Sequence, residues 1–363
     1  MLDLLLDQAR IASTLQHASG ALLPGRNGAY GHPETPVRNS AHWLLSFCLA
    51  HHASGEASFR ANAERALAFL LACVDQVPGG VPVRHAPGKD VTNGVLGQAH
   101  VVEALFYAAV VLGRPEAWQA GIDLIQRHRF NPAWQGWDRV TPSGKYLTPD
   151  DTFNHQLYFA ATIALFAMHE PSLRPDLDRF VAGLRTSLRI RDDGRIAHML
   201  LESGGLARQA KRRLREPAHA RALASKEANY HLYNMYAFAL LASTGLPLHL
   251  EGRADWLRAV AFVDGAQVAK RLTTAMWADG LPSGTETAAA DLAFFRQTFG
   301  DPASADLALA EAQLRFTAGP DGSFSLYSPD PVTQRARSYR YWRLLPVDQA
   351  VRGAAASFAG AAR

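Results

Sequence analysis

The sequence predicts an all-α protein in which about twelve helices pair into hairpins and close into a ring. Apolar residues recur at helical spacing in segment after segment, while glycines and prolines gather in the breaks between segments. Of the 363 residues, 48% are hydrophobic and 19% are charged, which is enough apolar material for a large core. This composition excludes a globally disordered chain.

The periodic segments give the predicted helices in chain order: 2–18, 38–53, 56–74, 94–112, 115–128, 152–169, 175–188, 226–243, 253–274, 288–299, 303–316 and 346–360. Short connections such as 52–56, 112–115 and 243–247 contain glycine and suit tight turns between antiparallel helices. Long connections rich in Gly, Pro, Trp and Asp cover 19–37, 75–93, 129–151, 190–225, 275–287 and 317–345. This alternation predicts an (α/α)6 toroid over 1–363 as one domain, with the long loops on one face.

The net charge of +4 has a local origin in one basic stretch. That stretch, near 200–226 and expected to be a loop or insertion, contains Arg208, Lys211, Arg212, Arg213, Arg215, Arg221 and Lys226. Such a run is typical of a solvated surface, or of an electrostatic guide for an anionic ligand. Nucleic acid is not an expected partner, because no helix-turn-helix, zinc or aromatic-basic signature accompanies the charge.

Targeting, membrane and cofactor signals are not visible. The first ten residues mix leucines with acids and lack a basic region before an apolar run, so we expect a cytoplasmic location. No run of about 18 apolar residues is free of polar breaks, so no membrane span is predicted. Phosphate-binding glycine loops, His-Glu-x-x-His and Gly-x-Ser-x-Gly do not occur, and neither a metal nor a cofactor is predicted.

Three inner-type helices begin alike, polar first and then apolar, at 93–99, 152–158 and 229–236. Polar groups at helix starts beside long loops favour a central pocket. Asp90 precedes the first start as a candidate catalytic carboxylate or a helix cap, with Asn93 and Gln98 as candidate substrate contacts. The candidate contacts of the third start are Tyr230, His231 and Tyr233, since tyrosines stack on sugar rings, although tyrosines at helical spacing are also typical of a core.

The second start is the most informative, because two adjacent carboxylates precede an Asn-His pair. Asp150 and Asp151 favour a perturbed pKa, since like charges discourage simultaneous ionisation, and one of them is expected to cap the helix. Asn154 is a candidate substrate contact, and His155 is either catalytic or a structural histidine.

Two more stretches indicate walls of a cleft. One places Arg38, Asn39, His42 and Trp43 near a helix start. The other, 338–343, interleaves arginines with aromatic residues and is equally typical of surface arginines packed over rings. Trp134 and Trp137 in the loop 129–151 allow the same two interpretations, and Trp137 is predicted to contact substrate.

On these residues the chain resembles the (α/α)6-toroid, six-hairpin glycosidase-like enzymes, and in layout the unsaturated glucuronyl and rhamnogalacturonyl hydrolases. In those enzymes two aspartates open successive inner helices, and Asp90 and Asp150 hold comparable places here. The resemblance implies a glycoside hydrolase acting on uronic-acid-containing oligosaccharides. Asp150 or Asp151 would protonate the substrate and activate water, with Asp90 assisting and Asn154 or His155 binding the sugar.

Two alternatives stay open. Asn154-His155 is similar to the Asn-His pair of alginate-type polysaccharide lyases, which implies a lyase or a uronate epimerase. In that case Tyr230 or Tyr233 would supply a phenol, and Arg38 or Arg208 a cation. The third interpretation is a glycan-binding or polysaccharide-assembly protein without catalysis, since a fold does not fix a function. In each case the expected partner is an oligosaccharide or polysaccharide, and an anionic one is favoured.

Overall fold

Helices dominate the computed structural model, which describes residues 1–200, 217–280, 285–300 and 304–361. The first seven helices are α1 (Leu2–Leu15), α2 (Val37–Ser54), α3 (Ala57–Asp75), α4 (Gly94–Leu112), α5 (Pro115–Gln126), α6 (Phe153–Ala167) and α7 (Arg174–Ser187). Single 3₁₀ turns lie at Gly28–Tyr30 and Pro171–Leu173.

The remaining described helices include several short ones. They are α8 (Pro217–Asn229), α9 (His231–Ala242), α10 (Ala254–Val263), α11 (Ala266–Arg271), α12 (Thr274–Ala278), α13 (Ala288–Phe299), α14 (Ser304–Phe316), α15 (Pro331–Ala336), α16 (Tyr339–Trp342) and α17 (Pro346–Ala361).

The helices form the predicted toroid. Helices α2, α4, α6, α9 and α13 pack in that order as an inner ring, and α16 contacts both α13 and α2 to close it. Outer helices pack on their inner partners: α3 on α2, α5 on α4, α7 on α6 and α14 on α13. Helix α10 packs on α9 through the ring pairs Phe262–His231 and Trp256–Phe238. The inner helices begin on the face that carries the long loops, so their polar first turns meet there.

The inner helices are buried on all sides because their sequences are apolar around the whole circumference. Helix α4 is the extreme case: it is the one helix of the described chain long and apolar enough to cross a membrane, with a mean hydropathy of 1.7. Its most apolar window is 83% buried inside the fold. A buried core helix also meets these criteria of length and hydropathy.

Helix α17 covers the opposite end of the ring, against α2 and α4. Its Asp348 accepts hydrogen bonds from Tyr107 late in α4 (2.5 Å) and from Arg343 (2.5 Å), and all three side chains are buried. Arg343 also pairs with Glu103 of α4. These contacts place an ionic cluster in the core below the inner helices.

Several predicted elements differ from the observed ones. The predicted helix 226–243 is two helices, because the backbone at Tyr230 leaves helical geometry. The predicted helix 253–274 breaks at Asp264 and Gly265 into α10 and α11. The long connection 317–345 contains α15 and α16. Of the basic stretch, the residues from Arg208 to Arg215 lie outside the described residues.

The connection 129–151 is not an irregular loop. It forms a three-stranded antiparallel sheet of β1 (Phe130–Asn131), β2 (Gly136–Val140) and β3 (Tyr146–Pro149), in register at Phe130 with Trp137 and at Asp138 with Pro149. The sheet carries the chain across the long-loop face and delivers Asp150 to the start of α6.

Candidate active site

A cavity of about 390 Å³ opens on the long-loop face, where the inner helices begin. Ten of the residues predicted from sequence line it: Arg38, His42, Asp90, Asn93, Asp150, Asp151, Asn154, His155, Tyr230 and Tyr233. The start of α4 contributes one side, the start of α6 the next, and α16 the side opposite. The repeated polar helix starts therefore converge on one cavity.

Asp150 and His155 form a hydrogen-bonded pair at the boundary between α4 and α6. The His155 Nδ1 atom lies 2.9 Å from Asp150 Oδ2, and the same oxygen accepts the Val95 amide at 3.2 Å. The other carboxylate oxygen accepts the Thr152 amide at 3.2 Å. Asp150 thus caps α4 from outside while it holds a histidine of α6.

The electrostatics of this pair keep Asp150 ionised. Burial alone would raise the pKa of Asp150, but the charge and hydrogen bond of His155 and the Thr152 amide together outweigh it and lower the pKa. An ionised carboxylate only accepts hydrogen bonds, so His155 Nδ1 carries the hydrogen of this contact, and Nε2 is the nitrogen of the ring that can exchange a proton with a ligand. Within the described chain, no hydrogen bond reaches that Nε2.

Gly94 makes room for the carboxylate. Its φ is +63°, and a Cβ there would lie 1.8 Å from Asp150 Oδ2. Asn93 is also left-handed, with φ of 56°. These two residues turn the chain sharply at the start of α4, so that the free helix amides face Asp150.

Asp90 is saturated by local donors. Its carboxylate accepts the Thr92 amide (3.0 Å), the Thr92 hydroxyl (2.7 Å) and the Gly94 amide (3.1 Å), and Arg139 lies 3.9 Å away. These contacts are those of a helix-capping aspartate. Asp90 lines the cavity, but its geometry supports the alternative of a cap.

Asp151 differs from its neighbour. Its side chain is exposed, and its pKa is raised, first by partial loss of solvent and second by the negative charge of Asp150. A carboxyl with a raised pKa is a better proton donor near neutral pH than an ordinary aspartate. The two adjacent aspartates therefore have opposite pKa shifts.

The floor of the cavity carries buried polar atoms that have no hydrogen-bond partner within the described part of the chain. They are Arg38 Nε, His42 Nε2, His100 Nδ1 and Asn154 Oδ1, on side chains that are at most 5% exposed. Unpaired buried polar groups are costly, and a ligand's hydroxyl groups would satisfy them.

Two of these floor residues are neutral imidazoles. The His42 ring lies 4.6 Å from the rings of both His100 and Tyr339. Burial lowers the pKa of His42 and of His100 well below the usual value, and the nearby Arg38 and Arg340 lower both further. The floor is therefore polar without adding positive charge.

Seven arginine and lysine side chains but only four carboxylates line the cavity. Four of these arginines have acidic neighbours: Arg38 with Glu34, Arg337 with Glu286, Arg340 with Asp291, and Arg139 near Asp90. Arg84 and Lys226 have no carboxylate within 4 Å in the described ranges, and Lys89 is exposed. Arg84, Lys89 and Lys226 are therefore the lining cations without a carboxylate partner among the described residues.

Five predicted binding residues do not line the cavity. Gln98 is fully buried and its amide bonds the backbone of Val81 and Thr92, where it braces the loop before α4. Trp137 is buried between Phe159 and Phe180 in the core, because β2 turns it inward. A polar or aromatic residue near a helix start is not thereby directed at the pocket.

The other three lie on the outer sides of their helices. Asn39 donates to the Leu23 carbonyl at 2.9 Å, and Trp43 packs on Phe47. His231 Nε2 lies 3.0 Å from the Ala259 carbonyl, in contact with α10. Burial lowers the pKa of His231 to about 4, so it serves as a neutral structural histidine.

Sequence reasoning missed other lining residues, among them Arg84, His100, Arg139, His198 and Glu286. His100 had a usable signal, since spacings of three and four residues place Asn93, Leu96 and His100 on one face of α4. Arg340 belongs to the stretch 338–343, for which the sequence allowed either a cleft wall or arginines on the surface. It is buried in the cavity wall, with its guanidinium 3.9 Å from the centre of the Tyr236 ring. Groups of three or more His, Cys, Asp or Glu suited to a metal do not occur among the described residues.

Comparison with solved structures identifies the same fold in several carbohydrate-active enzymes. Cellobiose 2-epimerase from Spirochaeta thermophila superposes with a TM-score of 0.60 at 14% identity, covering 94% of each chain. An unsaturated glucuronyl hydrolase specific for heparin gives 0.59 at 10% identity and 96% of each chain. A D-mannose isomerase gives 0.59 at 12% identity, covering 94% of this chain and 97% of that one. At these identities the likeness establishes the (α/α)6 toroid fold.

Sequence comparison gives the family. No family model matches the chain. Archaeal glycosylation protein Q of Haloferax volcanii is 35% identical in an alignment of 274 positions that covers 70% of this chain and 73% of that protein. An identity of this size over most of both sequences exceeds the 10–14% shared with the three solved structures above, and the chain therefore belongs to the family of archaeal glycosylation protein Q.

Proposed function

We propose that the protein is a glycan-processing enzyme that removes a proton from a carbon of an anionic sugar, with His155 as the base. The observation that carries the proposal is the Asp150–His155 pair, with 2.9 Å between Nδ1 and Oδ2, on the wall of a cavity with excess positive charge. Asp150 fixes the ring orientation and stabilises the imidazolium that forms, which leaves Nε2 to accept the proton.

The charge of the cavity favours a uronic acid as the reacting sugar. In a uronic acid the C5 hydrogen lies next to a carboxylate, so the electron pair released on proton removal moves onto carboxylate oxygens. A cation beside those oxygens stabilises the developing charge. Arg84 fits this role: it is half-buried, its Nε donates to the Asp90 carbonyl at 2.6 Å, and its other nitrogens are not engaged by a described carboxylate.

Two outcomes follow from the same first step. Return of a proton to the opposite face of C5 gives the epimer. If the electron pair at C5 instead forms a C4=C5 double bond, the C4–O bond breaks, and its oxygen leaves with the electrons of that bond and takes up a proton; this is elimination. The epimerase and isomerase that share the fold support proton-transfer chemistry, and the name of archaeal glycosylation protein Q, a relative in the same family, supports a glycan substrate.

A glycoside hydrolase acting on unsaturated uronyl ends is the second candidate, because the raised pKa of Asp151 suits a general acid. The unsaturated glucuronyl hydrolase that shares the fold supports it. Its weaker point is Asp90, the expected assisting carboxylate, whose oxygens are already occupied by three donors.

Product analysis separates the candidates. Uronate oligosaccharides, saturated and unsaturated at the terminal sugar, are incubated with the protein and followed by NMR and by the absorbance of the conjugated double bond. Epimerisation changes the ring-proton couplings without new absorbance, elimination creates absorbance, and hydrolysis of unsaturated ends erases it. We expect one of the first two, lost in His155→Gln. A loss of the double-bond absorbance that requires Asp151 and still occurs in His155→Gln would establish the hydrolase instead.

A further inference from the structure

Tyrosine rings form a continuous wall from the mouth of the cavity to its floor. The rings of Tyr233 and Tyr230 are 6.1 Å apart along the cavity wall, and the fully buried ring of Tyr158 supports Tyr233 from behind at 5.7 Å. At the mouth, the hydroxyl of Tyr30 lies 3.4 Å from that of Tyr230. The wall thus extends well beyond the histidine and asparagine of the floor.

The upper end of this wall is built from two distant chain segments. Tyr30 ends the 3₁₀ turn Gly28–Tyr30, and Lys226 and Tyr230 belong to the end of α8 and the break that follows it. The Lys226 ammonium lies 5.7 Å from the centre of the Tyr30 ring and 5.9 Å from that of Tyr230. We call Tyr30, Tyr230 and Lys226 the rim platform.

The rim platform has the properties of a carbohydrate contact. The Tyr30 side chain is 45% exposed although it is large and aromatic, and the hydroxyls beside it can bond sugar oxygens. Lys226 is half-buried and forms no salt bridge with a described carboxylate, so its ammonium keeps hydrogen atoms for a ligand. A surface that served only to close the fold would not expose such a ring at the mouth of a polar cavity.

We propose that the rim platform binds the second pyranose ring of an oligosaccharide whose terminal sugar occupies the cavity floor. The C–H surface of the second sugar packs against Tyr30, and its oxygens accept hydrogen bonds from Lys226 and the tyrosine hydroxyls. This inference rests on the proposed function, because the reacting sugar must sit beside His155. It makes the substrate an oligosaccharide and not a free monosaccharide.

The test compares two probes by calorimetry: glucuronic acid, and a disaccharide of glucuronic acid β-1,4-linked to glucose. All proteins carry His155→Gln, so that bound sugar is not consumed. With the platform intact, we expect the disaccharide to bind about threefold to tenfold more tightly, the range for one aromatic contact. Tyr30→Ala should abolish that difference and leave monosaccharide affinity unchanged, while Tyr30→Phe keeps most of it.

Tyr146→Ala is the matched control, because Tyr146 is 44% exposed and does not line the cavity. Its ring packs on the Arg129 guanidinium at a distance of 4.8 Å. It should leave both affinities unchanged. If the disaccharide and the monosaccharide bind equally, or if Tyr30→Ala leaves their ratio unchanged, the rim platform is not a sugar site while the proposed function stands. If neither probe binds, the uronate substrate class is wrong and this inference fails with it.

Discussion

Asp150 does two things at once, because it caps one inner helix and orients a histidine of the next. Asp150→Asn keeps the side-chain shape but removes the charge that fixes the His155 tautomer. We expect kcat to fall by about 10²- to 10⁴-fold, the range for general-base catalysis, with a smaller change in KM. Steady-state kinetics on the uronate substrate measure this effect. Asp176→Asn on the exposed start of α7 is the control and should leave kcat unchanged.

Gly94 gives a second test at the scale of one residue. Gly94→Ala places a Cβ at a positive φ and 1.8 Å from Asp150 Oδ2, so the carboxylate or the helix start must move. Gly113→Ala has a similar φ of +69°, but the described residues leave the space around its Cβ open to 4 Å. We expect Gly113→Ala to cost about 1 kcal/mol of unfolding free energy and Gly94→Ala clearly more, with loss of activity. Equal costs in urea denaturation would contradict the close approach.

The sequence placed Asp150 and His155 together because their spacing marks a helix start, which is a local property. It did not distinguish Gln98 or Trp137 from pocket residues, because their direction depends on the loop backbone and the sheet that they pack against. Arg84 was missed for the same reason: it comes from a loop whose path only the folded ring determines.

At the scale of the elements, the helix boundaries were predictable from periodicity and glycines, whereas the breaks at Tyr230 and Gly265 were not. The apolar pattern runs through both breaks, so periodicity did not mark them, although Gly265 is a local signal for the second. The strands of 129–151 were missed because two to five residues give too short a pattern for a period of two.

Helix α17 depends on the buried ionic cluster at the closed end of the ring. Asp348→Asn removes a negative charge from between Arg343 and Arg352, which lie 2.5 and 2.9 Å from it. Breaking a buried pair by removing one partner costs about 3–5 kcal/mol, and we expect a loss of that order in urea denaturation. Asp178→Asn, which disrupts an exposed pair with Arg174, should cost less than about 1 kcal/mol. Similar small costs for both would show that the cluster does not hold α17.

At the scale of the whole molecule, buried histidines make stability depend on pH. Burial lowers the pKa to about 4 for His128 and His231 and to about 3 for His198. Between pH 6.5 and 4 the unfolded chain binds more protons than the folded one at these sites, so the unfolding free energy should fall as the pH drops through that range. Burial raises the pKa of Asp291 to about 6, which acts in the opposite sense between pH 3.8 and 6 and offsets part of the loss.

Urea denaturation at pH 7.5, 5.5 and 4.5 measures this dependence. His231→Gln removes one titrating group away from the cavity and should reduce the slope, although the variant itself is less stable. A free energy of unfolding that stays constant from pH 7.5 to 4.5 would show that these imidazoles are not held neutral in the folded protein.

The ring itself followed from a pattern spread over the whole chain, the alternation of short and long connections, and that pattern also identified the face that holds the cavity. The proposed chemistry requires that His155 removes a proton from a carbon of the sugar. Exchange of that hydrogen with deuterium from the solvent tests this step most directly. In D₂O, the wild-type protein should incorporate deuterium at C5 of a uronate oligosaccharide, as should His52→Gln, an exposed histidine at the end of α2. His155→Gln should not. Turnover of the sugar with no deuterium at carbon would contradict the account.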